Sequence, residues 1–147
     1  MRLLLQRVSS ASVRVDGTIV GSIDRGYLLF LCVMEGDTEE QARWLAEKVT
    51  KLRLFDGADG TVNDRCLLDI GGGLLVVSQF TLAGRTEKGN RPDYTSAASP
   101  QQAQRLYEFF IACLHAAGIP RVEAGTFGAL MAVELVNDGP VTLYMER

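Results

Sequence analysis

Polar and apolar residues change period several times along the chain, and each change marks an element. Residues 1–8, with Leu3-Leu4-Leu5 at their centre, read as a strand. Within residues 11–24, Val13 and Val15 alternate with Ser12 and Arg14, Asp16-Gly17 supplies a turn, and residues 19–23 return, which predicts a hairpin. Residues 27–34 form a continuous apolar run between Gly26 and Gly36, the pattern of a central strand buried on both faces. Thr38 and Gln41 then make a capping box, Glu39 and Glu40 suit the positive end of a helix dipole, and Ala42, Leu45, Ala46, Val49 and Leu52 share one face. This first helix is expected to end near Arg53.

Two turn signals, Asp56-Gly57 and Asp59-Gly60, make residues 55–68 an irregular hairpin. Gly71-Gly72-Gly73 is not a phosphate loop, because it precedes a strand, over residues 74–82, and lacks the Gly-Lys-Ser/Thr ending. Residues 83–99 follow as a long loop carrying Arg85, Glu87, Lys88, Arg91 and Asp93; loops of this length in compact domains are usually functional or mobile. The second helix starts at Ser99 as N-cap, with Pro100 in the first turn and Gln102 completing a box. Its apolar face is Ala103, Leu106, Tyr107, Phe110, Ile111 and Leu114, and Gly118 with Pro120 closes it. Strands are expected over residues 121–124, 129–136 and 141–145. The Asn137-Asp138-Gly139-Pro140 stretch between the last two reads, taken alone, as a turn. The whole is an α+β domain, residues 1–147, whose mostly antiparallel, barrel-like sheet is packed by two main helices.

Composition narrows the function. A chain of 147 residues with 47% hydrophobic and 22% charged residues can bury a core without metal or disulfide support. A net charge of -3 argues against coating nucleic acid, DNA included, by bulk positive charge, though a local basic patch on RNA stays open. Cys32, Cys66 and Cys113 are odd in number and widely spaced, which suits free thiols in a reducing compartment. No signal-peptide core is present, and no apolar run approaches the roughly 18 residues that span a membrane. A soluble, cytoplasmic protein is expected.

Candidate chemistry is sparse. The single histidine, His115, sits in the last turn of the second helix, where dipole stabilisation explains it. No Cys or His pair or carboxylate cluster has ligand spacing, so neither a metal site nor a cofactor is expected. A base-assisted nucleophile would depend on His115 alone. The distinctive stretch is Ser78-Gln79-Phe80-Thr81-Leu82, polar groups ending an apolar run that would need hydrogen-bond partners if buried. Strict alternation puts Gln79 and Thr81 on one face and Ser78 and Phe80 on the other, so all four line one pocket only if the strand bends.

Taken together, Ser78 to Leu82 and the segment Asn137-Asp138-Gly139-Pro140-Val141-Thr142 resemble the signature of the D-aminoacyl-tRNA deacylase family. The likeness extends to Gln6-Arg7-Val8, Lys88-Gly89-Asn90-Arg91-Pro92, Ala98-Ser99-Pro100 and Gly125-Thr126-Phe127. It implies a homodimeric, cofactor-free hydrolase that cleaves the ester between a D-amino acid, or glycine mischarged on a tRNA such as tRNA-Ala, and the 3′-terminal adenosine of tRNA, while rejecting L-aminoacyl-tRNA. It further implies a cis Gly139-Pro140 bond inserted into the partner subunit's site as the chiral selector. Ser78, Gln79, Phe80 and Thr81 become the pocket floor, Phe127 and Met131 the adenosine side, and Arg7 and Asn137 the support of the Gly-Pro segment. Assistance by the terminal ribose hydroxyl is implied, with Thr81 as a covalent nucleophile the rival mechanism. Two readings of other classes stay open: a non-catalytic RNA-binding module using Arg85, Lys88 and Arg91, and a small dimeric β-barrel binding a free metabolite.

Overall fold

A computed structural model describes residues 1–147. Its spine is β1 (Arg2–Val15), one fourteen-residue strand where the alternation suggested a strand followed by a hairpin arm. Along its whole length β1 carries β8 (Met131–Glu146). Its other edge pairs with β3 (Gly26–Cys32) through Arg2 to Val8 and with β2 (Thr18–Ile23) through Ala11 to Val15. Serving two neighbours in succession requires the strand to bend. Val8 faces Asn137 and Ser10 faces Val136, so Ser9 is an extra residue, a bulge.

That extra residue also shifts the alternation. Leu3 and Leu5 point into the larger core, whereas Ala11 and Val13 join Val8, Ile23, Leu28, Leu75 and Val77 in a smaller one inside the curled sheet. The larger core lies between the sheet and two helices, α1 (Glu39–Lys51) and α2 (Pro100–Ala116). Fully burying each Leu, Val or Phe contributes roughly 1.5–3 kcal/mol, so these two layers hold the fold.

β6 (Gly73–Ser78) lies beside β3, and β7 (Arg121–Ala124) beside β6, both pairings parallel. The sheet is therefore mixed, with three antiparallel and two parallel ladders, rather than antiparallel nearly throughout. Apolar runs such as Leu74 to Val77 suit parallel strands buried on both faces, but period alone does not give strand direction. The barrel nearly closes between β2 and β7: a side chain at Gly21 would meet the Ala124 carbonyl at 2.9 Å. Gly26 is tighter still, since a Cβ there would sit 1.9 Å from the Gly73 carbonyl oxygen. A short pair, β4 (Arg53–Phe55) and β5 (Arg65–Cys66), forms the irregular hairpin after α1.

The first capping box is present in full, with Thr38 accepting from Glu40 N–H and Gln41 accepting from Thr38 N–H. The second is half made. Ser99 accepts from Gln102 N–H, but the Gln102 side chain instead donates to the Asp37 carbonyl at 3.0 Å, tying the start of α2 to the entry of α1. Asp37 is a hub, since its carboxylate also accepts from Met34 N–H at 2.6 Å and pairs with the Met1 ammonium at 2.7 Å. No helix is long and apolar enough to cross a membrane.

Candidate active site

The apolar run that enters β6 ends as a strand at Ser78. Gln79 leaves the extended region (φ -143, ψ 75), and residues 80–83 form a single 3-10 turn where the run predicted a strand to Leu82. This is the bend that alternation required. It puts Ser78, Gln79 and Phe80 together on the wall of one cavity of about 750 Å³. Thr81, exposed, does not line it and receives a hydrogen bond from Gln79 Nε2.

The rest of the cavity comes from three places. Tyr94, Thr95, Ala97 and Ala98 belong to the long loop, whose backbone lies across the end of β3 through Ala98 N–H to Val33 O and Glu35 N–H to Ser96 O. Ser99, Pro100, Ala103 and Tyr107 bring the N-terminal turns of α2, whose dipole puts partial positive charge at the cavity edge. Phe127, Leu130 and Met131 close the far side. Tyr107 donates its hydroxyl to the Val76 carbonyl at 2.7 Å and packs on Phe127 at 5.8 Å, so the helix fixes that aromatic wall; burial pushes the Tyr107 phenol upward, and it stays neutral. Phe80, 60% exposed, meets Tyr94 edge-on at 5.4 Å and forms the lip.

None of the cavity residues is Asp, Glu, Lys, Arg, His or Cys. Cys32 lies behind Phe80, 3.5 Å from its carbonyl and outside the cavity lining, and burial raises its thiol, which disfavours a thiolate nucleophile. His115 is exposed and outside the cavity. No three His, Cys, Asp or Glu side chains converge as a metal site would require. The cavity can position a neutral group through hydroxyls, an amide and aromatic faces.

Gly139 and Pro140 are elsewhere. Asn137 faces Val8 and Thr142 faces Gln6, so a single β1 residue, Arg7, confronts the four residues from Asp138 to Val141. The stretch is a wide bulge within one continuous strand, not a hairpin turn between two. Its peptide bond Gly139-Pro140 is cis, and both residues are exposed. Arg7, buried to 8% exposure, donates to Asp138 O at 3.0 Å, to Gly139 O at 3.2 Å and to Leu54 O, and pairs with the Asp138 carboxylate at 3.2 Å. Thr142 closes the bulge by donating to Gln6 Oε1.

No residue of this bulge lines the cavity. Arg7 is level with Tyr27 and hence with Leu74, whereas the cavity begins at Ser78, four residues further along β6. At about 3.3 Å per residue that is roughly 13 Å along the strands, besides the strands between. The two signature stretches are thus separate features of one chain. Sequence reading missed Gln6, Tyr94, Thr95, Tyr107 and Leu130; only the Tyr94-Thr95 pair carried a signal, as the end of an over-long loop.

The profile of the D-Tyr-tRNA(Tyr) deacylase family matches residues 4–146. The D-aminoacyl-tRNA deacylase of Dinoroseobacter shibae is 56% identical over 99% of each chain, and that of Thermomicrobium roseum 54% identical over 99% of this chain and 94% of its own. Among solved structures, the c-Myc DNA Unwinding Element Binding Protein superposes with a TM-score of 0.93 at 35% identity, covering 100% of this chain and 99% of that one. A probable eukaryotic D-amino acid tRNA deacylase shares the fold, with a TM-score of 0.82 at 18% identity over 98% of this chain and 97% of that one. This chain belongs to the D-Tyr-tRNA(Tyr) deacylase family. It is therefore a hydrolase of the D-aminoacyl-tRNA ester bond.

Proposed function

We propose that the protein works as a cytoplasmic homodimer in which each cavity binds the aminoacylated 3′-terminal adenosine of a tRNA while Gly139 and Pro140 of the partner subunit read the configuration of the amino acid. The observation that carries this is the pairing of an uncharged cavity with an exposed backbone segment, held by a buried arginine, that its own cavity cannot use. A cavity without a carboxylate offers nothing charged to hold the substrate ammonium. Backbone carbonyls brought by a second subunit supply such acceptors, and the rigid segment collides with the side chain of one enantiomer. Selection by collision admits glycine, which has no side chain, so glycyl-tRNA is a substrate as well.

Phe127 and Met131 take the adenosine side, and Ser78, Gln79 and Phe80 form the floor, with Thr81 bonded to Gln79 beside it and Asn137 and Arg7 keeping the selector in place. In the reaction, water adds to the ester carbonyl, the bond to the ribose oxygen breaks, and that oxygen takes up a proton. With no side-chain base in the cavity, the neighbouring ribose hydroxyl assists, and the protein contributes position and hydrogen bonds. Gln79 Nε2 donates to Thr81, which leaves the Thr81 O–H free to donate; this suits a supporting donor better than a nucleophile awaiting deprotonation.

Matched D-, L- and glycyl-tRNA substrates test the reading. Loss of the D and glycyl esters with survival of the L ester is expected, and equal loss of both enantiomers would defeat the selector. A substrate ending in 2′-deoxyadenosine should resist cleavage, while Thr81→Ala should keep activity within about tenfold.

A further inference from the structure

We propose that the hairpin at residues 85–93 is a phosphate-binding arm that holds the 3′ strand of the tRNA beside the cavity through Lys88 and Arg91, a reading that rests on the deacylase function above. A polyanion must be recognised by positive charge, and the cavity has no cationic side chain. With a net charge of -3 the chain as a whole repels the substrate's backbone, so specific free cations must offset that repulsion.

Most cations are already engaged. Of the fifteen Lys and Arg residues, eight are ion-paired, three more stack on aromatic rings, and Arg65 donates to the Asp69 carbonyl. Only Lys48, Lys88 and Arg91 have no such commitment. Lys48 sits in the last turn of α1, where it complements the helix dipole. The other two are exposed on one short hairpin.

That hairpin is built rather than slack. Arg85 and Asp93 exchange both backbone hydrogen bonds, at 2.9 and 3.0 Å, and pair through their side chains at 2.6 Å. Arg85 also donates to the Thr95 hydroxyl at 3.0 Å, and Asp93 accepts from Thr95 N–H at 2.9 Å. Gly89 at φ +70 turns the tip. The next residues, Tyr94 and Thr95, line the cavity, so the arm adjoins it, beside a chain attached to a nucleoside bound there. Arg85 and Asp93 neutralise each other, and Glu87 offsets one charge, leaving the arm net positive on a negative protein.

The test compares two substrates of one reaction, D-aminoacyl-tRNA and a D-aminoacyl ester of free adenosine, which has no phosphate. The Lys88→Ala/Arg91→Ala double variant should raise KM for the tRNA substrate about tenfold with kcat unchanged, and lower the salt dependence of log kcat/KM by about 1.4, two single-strand phosphate contacts. It should cleave the adenosine ester as the wild type does. Unchanged tRNA kinetics, or an equal loss on both substrates, would overturn the arm's role. A wild-type protein that cleaves neither D ester would instead sink the deacylase reading, and the arm with it.

Discussion

The cavity at the end of β6 and the bulge opposite Arg7 are built in opposite ways. One is concave, uncharged and assembled from four separate stretches of chain, with its walls held by neighbours: Gln79 by Thr81, and Phe127 by Tyr107. The other is a four-residue excursion from a single strand, exposed and fastened from below by one buried guanidinium. The first can receive a ligand and has nothing with which to grip a charge; the second presents backbone to a neighbour and has no pocket of its own. A receptor and a projecting probe lie too far apart on one chain to meet, which is why the proposed selector works between two copies.

Both depend on the frame, and the largest expected effect strikes there. Gly26→Ala forces a Cβ into the Gly73 backbone at the β3–β6 ladder and should cost more than about 4 kcal/mol, abolishing cavity and bulge together in a denaturant titration. A near-neutral result would show that the ladder can spread without loss.

Arg7→Ala is expected to separate the two regions. It strands the Leu54 carbonyl and frees the bulge, with a loss of about 2–3 kcal/mol in stability. The cavity should stay intact and still bind the D-aminoacyl-adenosine ester, while discrimination between D- and L-aminoacyl-tRNA collapses. Retained discrimination would mean that the bulge holds its shape unaided.

The smallest effect is local to the long loop. The Thr95 amide, with the Thr95 hydroxyl and the Arg85 guanidinium, holds the Asp93 carboxyl down to about 2. Because the folded value is depressed, the loop's tie is complete above the ordinary carboxylate range and is lost as pH falls through about 2. The Thr95 amide resonance should titrate with a midpoint near 2, and a midpoint near 4 would mean that the tie is not made.

Much of this architecture was legible in the sequence, to the extent that it is local. Both helices, the full capping box at Thr38 and the Asp16-Gly17 turn follow from period and caps, whereas the apolar run suggested a strand to Leu82 and gave a bend after Ser78 only as a condition for a shared pocket. What pairs across distance did not show. Residues 129–136 and 141–145 read as two strands because Gly-Pro ordinarily marks a turn, yet both halves share one partner strand, and the proline lies in an excursion that interrupts pairing only briefly. Parallel direction in β6 and β7, and the cavity walls at Tyr94 and Leu130, likewise depend on contacts that composition does not record.

The absence of acidic, basic and thiol side chains from the cavity has a last consequence. An enzyme that relies on a histidine or carboxylate gains its rate at the cost of a working range, because protonation or deprotonation of that group turns it off. Here the wall offers no histidine or carboxylate to be turned off in that way. On the proposed ribose-assisted route, the chemical step takes its acidity profile from the ester and the ribose, and drifts in acidity reach this site through its substrate.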